Sequence, residues 1–91
     1  MAWKVKSHLA SAHRHGISAE RIEFVVTTCR MPMSLEDPEQ GEEDVLLFLA
    51  PDQHGVPIEV LGVELPNEGL VVFHAMKVAR KNRLLYNEVM R

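Results

Sequence analysis

Four of the chain's ten basic side chains, Lys77, Arg80, Lys81 and Arg83, fall within seven residues. They follow the apolar run Leu70-Val71-Val72-Phe73 and His74, and Tyr86 comes soon after. The set suits an anion. A guanidinium can make two parallel hydrogen bonds to phosphate oxygens, which fits Arg80 and Arg83, while Lys77 and Lys81 supply point charge. The imidazole of His74 can take or give a proton near neutral pH, and Tyr86 offers a ring on which a base can stack. Cleavage of an RNA phosphodiester needs a base near the ribose 2′-hydroxyl, a proton donor at the 5′ leaving oxygen, and cations where negative charge builds. His74, Lys77, Arg80 and Arg83 are the candidate catalytic groups, and Lys81, Arg14 and Tyr86 the candidate RNA-binding ones.

Plainer readings of the same residues stay open. Most charge runs are solvated helix faces. The cations could also grip an acidic partner, or pair with the chain's own carboxylates, such as Glu36, Glu42 or Glu59. His74 could be a hydrogen-bonded residue where the last strand leaves the sheet. Tyr86, close to Leu85, Val89 and Met90, suits core packing.

Other reactive types lead nowhere as specific. His8 and His15 are too far apart for one ion, and His13-Arg14-His15 lacks a cysteine or carboxylate nearby, so no metal is expected. Cys29 falls on an apolar helix face, where it reads as a small hydrophobe and not a nucleophile. His54 belongs to a turn, and Trp3 reads as a core or dimer contact. No glycine-rich phosphate loop or serine-nucleophile elbow is present, and no cofactor is expected.

The 91 residues make one domain, 1–91. A core this small gains from self-association or a tight partner, so a homodimer is one expectation. The net charge of −3 hides a segregation. Residues 1–30 carry five basic and two acidic groups, 31–76 ten acidic and no basic, and 77–91 five basic and one acidic. Either basic ends neutralise an acidic middle, or they converge on one basic patch. No apolar run approaches a membrane span. A lone cysteine and a polar start fit a reducing cytoplasm.

The positioning elements emerge from period and punctuation. Residues 3–6 alternate as a short edge strand. Ser7 caps a helix over 7–14, which Gly16 ends with positive φ. Ser18 caps a second helix, with Glu20 in its first turn and Ile22, Val25, Val26 and Cys29 on one face. Met31, Met33 and Leu35 alternate behind Pro32, as a strand at an edge. Residues 36–43 read as an exposed acidic loop. Strands then span 44–50, 57–65 and 69–75, joined by turns at 52–55 and 66–69, which makes an antiparallel meander. A closing helix spans 77–90, where Arg80 and Arg83, three apart, fall on neighbouring faces and could share a surface with His74. The expected fold is α+β: a small twisted antiparallel sheet, a three-stranded meander plus one or two short strands, packed by two N-terminal helices and a C-terminal helix.

Three stretches together resemble a known family. His13-Arg14-His15-Gly16-Ile17-Ser18 with Glu20 resembles the "K-H-G-I-S-x-E" segment near the start of BrnT-type toxins, RelE/ParE-superfamily members of bacterial type II toxin–antitoxin pairs. Residues 32–39 resemble a "P-L-x-x-x-D-P-E" stretch, and 74–88 the closing "S-A-R-x-A-T-x-x-E-R-x-x-Y-E-E". His74 stands where that family usually has serine, and Met76 where it usually has arginine. The resemblance implies a metal-independent endoribonuclease that blocks translation and is neutralised by a cognate antitoxin. The alternatives are a non-catalytic protein-binding or self-associating domain of the same fold, its basic C-terminal helix gripping an acidic partner, and an unrelated small domain that self-associates through exposed sheet edges.

Overall fold

Ser18 starts the first regular helix. In the computed structural model, which describes residues 5–35, 45–65 and 69–91, its hydroxyl accepts the backbone N–H of Arg21 at 3.3 Å and caps α1 (Ala19–Thr28). Ile22, Val25 and Val26 form the buried face of α1. Thr27 and Thr28 turn their hydroxyls back onto the carbonyls of Glu23 and Phe24. Such bonds compete with the helical ladder, and Cys29 leaves in extended conformation.

Upstream of α1 the chain departs from expectation. Ser7 lies inside a strand, β1 (Val5–His8), and only a short 3₁₀ turn, Ala10–His13, comes after it. The expected helix over 7–14 does not form because a neighbouring strand takes its backbone groups. The Leu9 N–H, for example, donates to Val72 O at 2.9 Å. Gly16 does adopt positive φ, at 78°, and turns the chain into α1.

Four more strands complete the sheet: β2 (Met33–Leu35), β3 (Val45–Pro51), β4 (Pro57–Leu65) and β5 (Gly69–Lys77). The sheet order is β1-β5-β4-β3-β2. β2 through β5 pair antiparallel, but β1 joins β5 in parallel. The sheet is therefore mixed, which corrects the all-antiparallel expectation. The β3–β4 hairpin closes through Gly55, at φ 81°. There the buried Asp52 accepts the N–H groups of His54 and Val56 at 2.8 and 2.9 Å and the Nε–H of Arg21 at 2.7 Å. This ties α1 to the hairpin.

Every residue of β3 from Val45 to Ala50 is buried. Leu46, Phe48 and Ala50 face α1, while Leu47 and Leu49 meet Tyr86 of a second helix, α2 (Arg83–Val89). The two α-helices thus cover opposite faces of the sheet. The expectation of two N-terminal helices is corrected to one. The closing helix also starts later than expected, because β4 holds the chain extended: Ile58 pairs with Lys77, and the Val78 N–H donates to Pro57 O at 3.1 Å. A 3₁₀ turn, Arg80–Asn82, then leads into α2. Trp3, the acidic stretch 36–43 and most of the expected turn at 66–69 lie outside the described residues. Among those described, no helix is long and apolar enough to cross a membrane.

An irregularity between β4 and β5 sets the side-chain directions along β5. Leu61 pairs with His74, yet Gly62 pairs with Val72, so Phe73 has no partner on β4. An extra residue in a strand flips the side chains beyond it to the other face. The core positions of β5 accordingly run Leu70, Val72 and then Ala75. Opposite the bulge stands Gly62, where an added Cβ would meet Leu70 Cδ1 at 2.8 Å.

Candidate active site

The bulge at Phe73 decides where His74 points. In unbroken alternation with Leu70 and Val72, His74 would face the α1 core. Displaced by one residue, it shares the α2 face with Leu61 and with Glu59, which stands one pair further along β4. Its Nε2–H donates to Glu59 Oε2 at 3.0 Å. The Glu59 side chain is 4% exposed and that of His74 25%, so the imidazole rests on a buried carboxylate with one edge open.

Glu59 does a second job with its other oxygen. Oε1 accepts the backbone N–H of Ala79 at 2.7 Å and the side-chain amide of Asn82 at 3.1 Å. Burial pushes this carboxyl up, but the Ala79 N–H, Asn82 and His74 more than offset it, and it is held below the usual carboxylate range. The two bonds staple both ends of the turn that carries Arg80 and Lys81. The carboxylate that orients His74 therefore also positions two of the candidate cations.

A third element closes on the same place from the other end of the chain. The Ser11 hydroxyl donates to the carbonyl of the bulged Phe73 at 2.7 Å, fixing the 3₁₀ turn beside β5. Beyond that turn, the Gly16 N–H bonds to His13 O at 3.1 Å, and the His13 ring nitrogen Nδ1 donates to Ile17 O at 2.9 Å. These bonds brace the corner that carries His15. The His15 ring lies 5.7 Å from that of His74, centroid to centroid, and edge-on at 72°.

The candidate residues divide accordingly. Arg80 and Lys81 sit on the turn that Glu59 staples, and both are exposed. Arg83, also exposed, opens α2 directly after the 3₁₀ turn, its backbone N–H bonded to Arg80 O. Lys77 pairs with Ile58 across the strands, which puts it on the α1 face, away from His74. Arg14 is exposed and directly precedes His15. Tyr86 is buried against Leu47 and Leu49, so its ring belongs to the core and is not presented for stacking. Burial pushes its phenol up, and the opposing pull of Arg83 does not cancel that.

Among the described residues, Lys77, Arg80, Lys81 and Arg83 make no ion pair or side-chain hydrogen bond. The internal neutralisation that charge segregation allowed does occur for Arg21 and Asp52, and Glu59 is occupied by His74. Glu36 and Glu42 lie outside the described residues. Among the described residues, no group of three His, Cys, Asp or Glu converges as metal ligands.

Residue types alone missed Glu59, Asn82, Ser11 and His15. Glu59 left a trace, a lone carboxylate amid Ile58, Val60 and Leu61 that must find partners once buried. Compared with protein-family models, curated proteins and solved structures, the chain finds no match.

Proposed function

We propose that this chain is a toxin-like, metal-independent endoribonuclease that blocks translation and is held in check by a cognate antitoxin. The observation that carries the reading is the Glu59–His74 pair (3.0 Å), with Arg80 and Lys81 on the turn that Glu59 holds and in no ion pair among the described residues. A carboxylate on one imidazole nitrogen fixes the proton there and leaves the other nitrogen to act as a base, the arrangement used wherever histidine must accept a proton in a set direction. Arg80 and Lys81, with Arg83 two residues on and Arg14 next to His15, supply the charge that a phosphate requires. The test is incubation of the purified protein with single-stranded RNA in the presence of a chelator, together with growth of cells expressing it. Cleavage and growth arrest are expected, both falling about 10²-fold or more in His74→Ala and Arg80→Ala. Intact RNA and unimpaired growth would overturn the reading.

A second reading draws on α2. Leu84 is 80% exposed and comes just after Arg80, Lys81 and Arg83, a combination that suits a partner carrying both carboxylates and apolar side chains. A non-catalytic binding module would bind an acidic partner with strong salt dependence while leaving RNA whole.

A further inference from the structure

We infer that His15 is the proton donor to the leaving oxygen, so that the site works with two imidazoles recruited from opposite ends of the chain. This rests on the RNA-cleavage reading above. With Nε2 of His74 committed to Glu59 Oε2, its Nδ1 is the nitrogen that accepts a proton. An in-line displacement at phosphorus places the attacking and leaving oxygens on opposite sides, so one imidazole cannot serve both. His15 is the neighbouring group able to serve the other. Its ring lies 5.7 Å from that of His74, and it makes no hydrogen bond among the described residues. Its corner is set by the positive φ of Gly16, by the bond from His13 to Ile17 O, and by the anchor of Ser11 on the bulge. Such bracing holds a donor in place before substrate arrives.

The step balances without any co-reactant. His74 Nδ1 takes the proton of the ribose 2′-hydroxyl as that oxygen bonds to phosphorus. The bond from phosphorus to the 5′ oxygen breaks, its electron pair stays on that oxygen, and protonated His15 supplies the proton. The products are a 2′,3′-cyclic phosphate and a free 5′-hydroxyl. The substrate class is thus RNA, and a chain lacking the 2′-hydroxyl at the cut cannot react.

The experiment compares two substrates, single-stranded RNA and a ribonucleoside 3′-(4-nitrophenyl phosphate), whose leaving group departs without a proton. His15→Ala and His15→Gln are expected to lower RNA cleavage by about 10²–10⁴-fold, the usual worth of a general acid, and to lower aryl ester cleavage by less than about tenfold. His74→Ala is expected to lower both. Equal losses on the two substrates in the His15 variants, or no loss on RNA, would overturn the inference while leaving RNA cleavage by the wild type standing. A wild type that cleaves neither substrate would overturn the underlying reading as well. His15 is exposed, so both variants should melt with the wild type, and His15→Gln guards against a local collapse of the corner.

Discussion

Glu59 and His74 lie on neighbouring strands, diagonal to each other, with Oε2 and Nε2 3.0 Å apart. The pair exists because the bulge at Phe73 moves His74 off the α1 core and onto the side of the sheet where Glu59 is buried. Glu59 then carries three bonds: one to the imidazole and two to the turn before α2.

Replacing Glu59 should therefore harm stability and chemistry together. Glu59→Gln keeps the size but places an N–H₂ group where an acceptor is needed. It is expected to lower stability by about 2–4 kcal/mol in chemical denaturation, in the range for breaking a buried, hydrogen-bonded charge. A change below about 0.5 kcal/mol would mean that the carboxylate does not organise the turn.

Acid should act through the two buried carboxyls. Burial pushes Asp52 up, but the Val56 N–H, Arg21 and the His54 N–H more than offset it, and Asp52, like Glu59, is held below the usual range. A lowered folded value means that the unfolded chain binds the proton more readily. The stabilisation is then complete above the unfolded value, about 4 for such groups, and is lost as pH falls through the folded one. Tyr86 has the opposite sign, since burial raises its phenol; its contribution is lost as pH rises through a folded value above about 10. The melting midpoint should drop steeply below about pH 4, with a shallower slope in Glu59→Gln and in Asp52→Asn. Acid slopes identical to the wild type in both variants would refute this assignment.

Ser11 should matter beyond its size. Ser11→Ala leaves the Phe73 carbonyl without its side-chain donor and frees the 3₁₀ turn that leads to His15. A loss of about 1–2 kcal/mol is expected for an unpaired, part-buried acceptor, with slower RNA cleavage even at temperatures where the variant is fully folded. Unchanged cleavage would show that the bulge holds its form without this bond.

His8 offers a stabilising substitution. Both ring nitrogens are buried without a hydrogen bond among the described residues, and Glu23 Oε1 at 3.7 Å is too distant to make one. An unsatisfied buried polar group opposes folding. His8→Leu should therefore raise stability by about 1 kcal/mol, and the melting midpoint by about 4–8 °C for a domain of this size. A loss of similar size would mean that the attraction between His8 and Glu23 outweighs the desolvation of the ring.

Much of the fold is legible in the sequence because it is local. The cap at Ser18, the apolar face of α1, the positive φ at Gly16 and the 57–65 strand all follow from spacing and turn chemistry. The illegible part is non-local. Nothing near Ser7 reveals that β5 will claim the backbone from Val5 to Leu9, so a helix looks favourable there. The closing helix is shorter than its sequence suggests because Lys77 to Asn82 reads as helical until Pro57 and Glu59 hold its first part extended and pin the rest. At the site the cations are visible, and their neighbours only partly so. The core spacing of Leu70, Val72 and Ala75, with Gly62 in the facing strand, carries the mark of a bulge. The approach of His15 to His74 has no such trace, since it depends on the bulge, Ser11 and the corner acting together.

The parallel seam between β1 and β5 also dictates an order of events. β1 has no place in the sheet until β5 exists, and such distant pairings form slowly. A chain emerging from the ribosome has His15 early, whereas His74 comes late and Asn82 later still. The two imidazoles can meet only after β5 has been made, and Glu59 gains its last partner only when Asn82 follows, so whatever the finished site does, it stays silent until both have emerged.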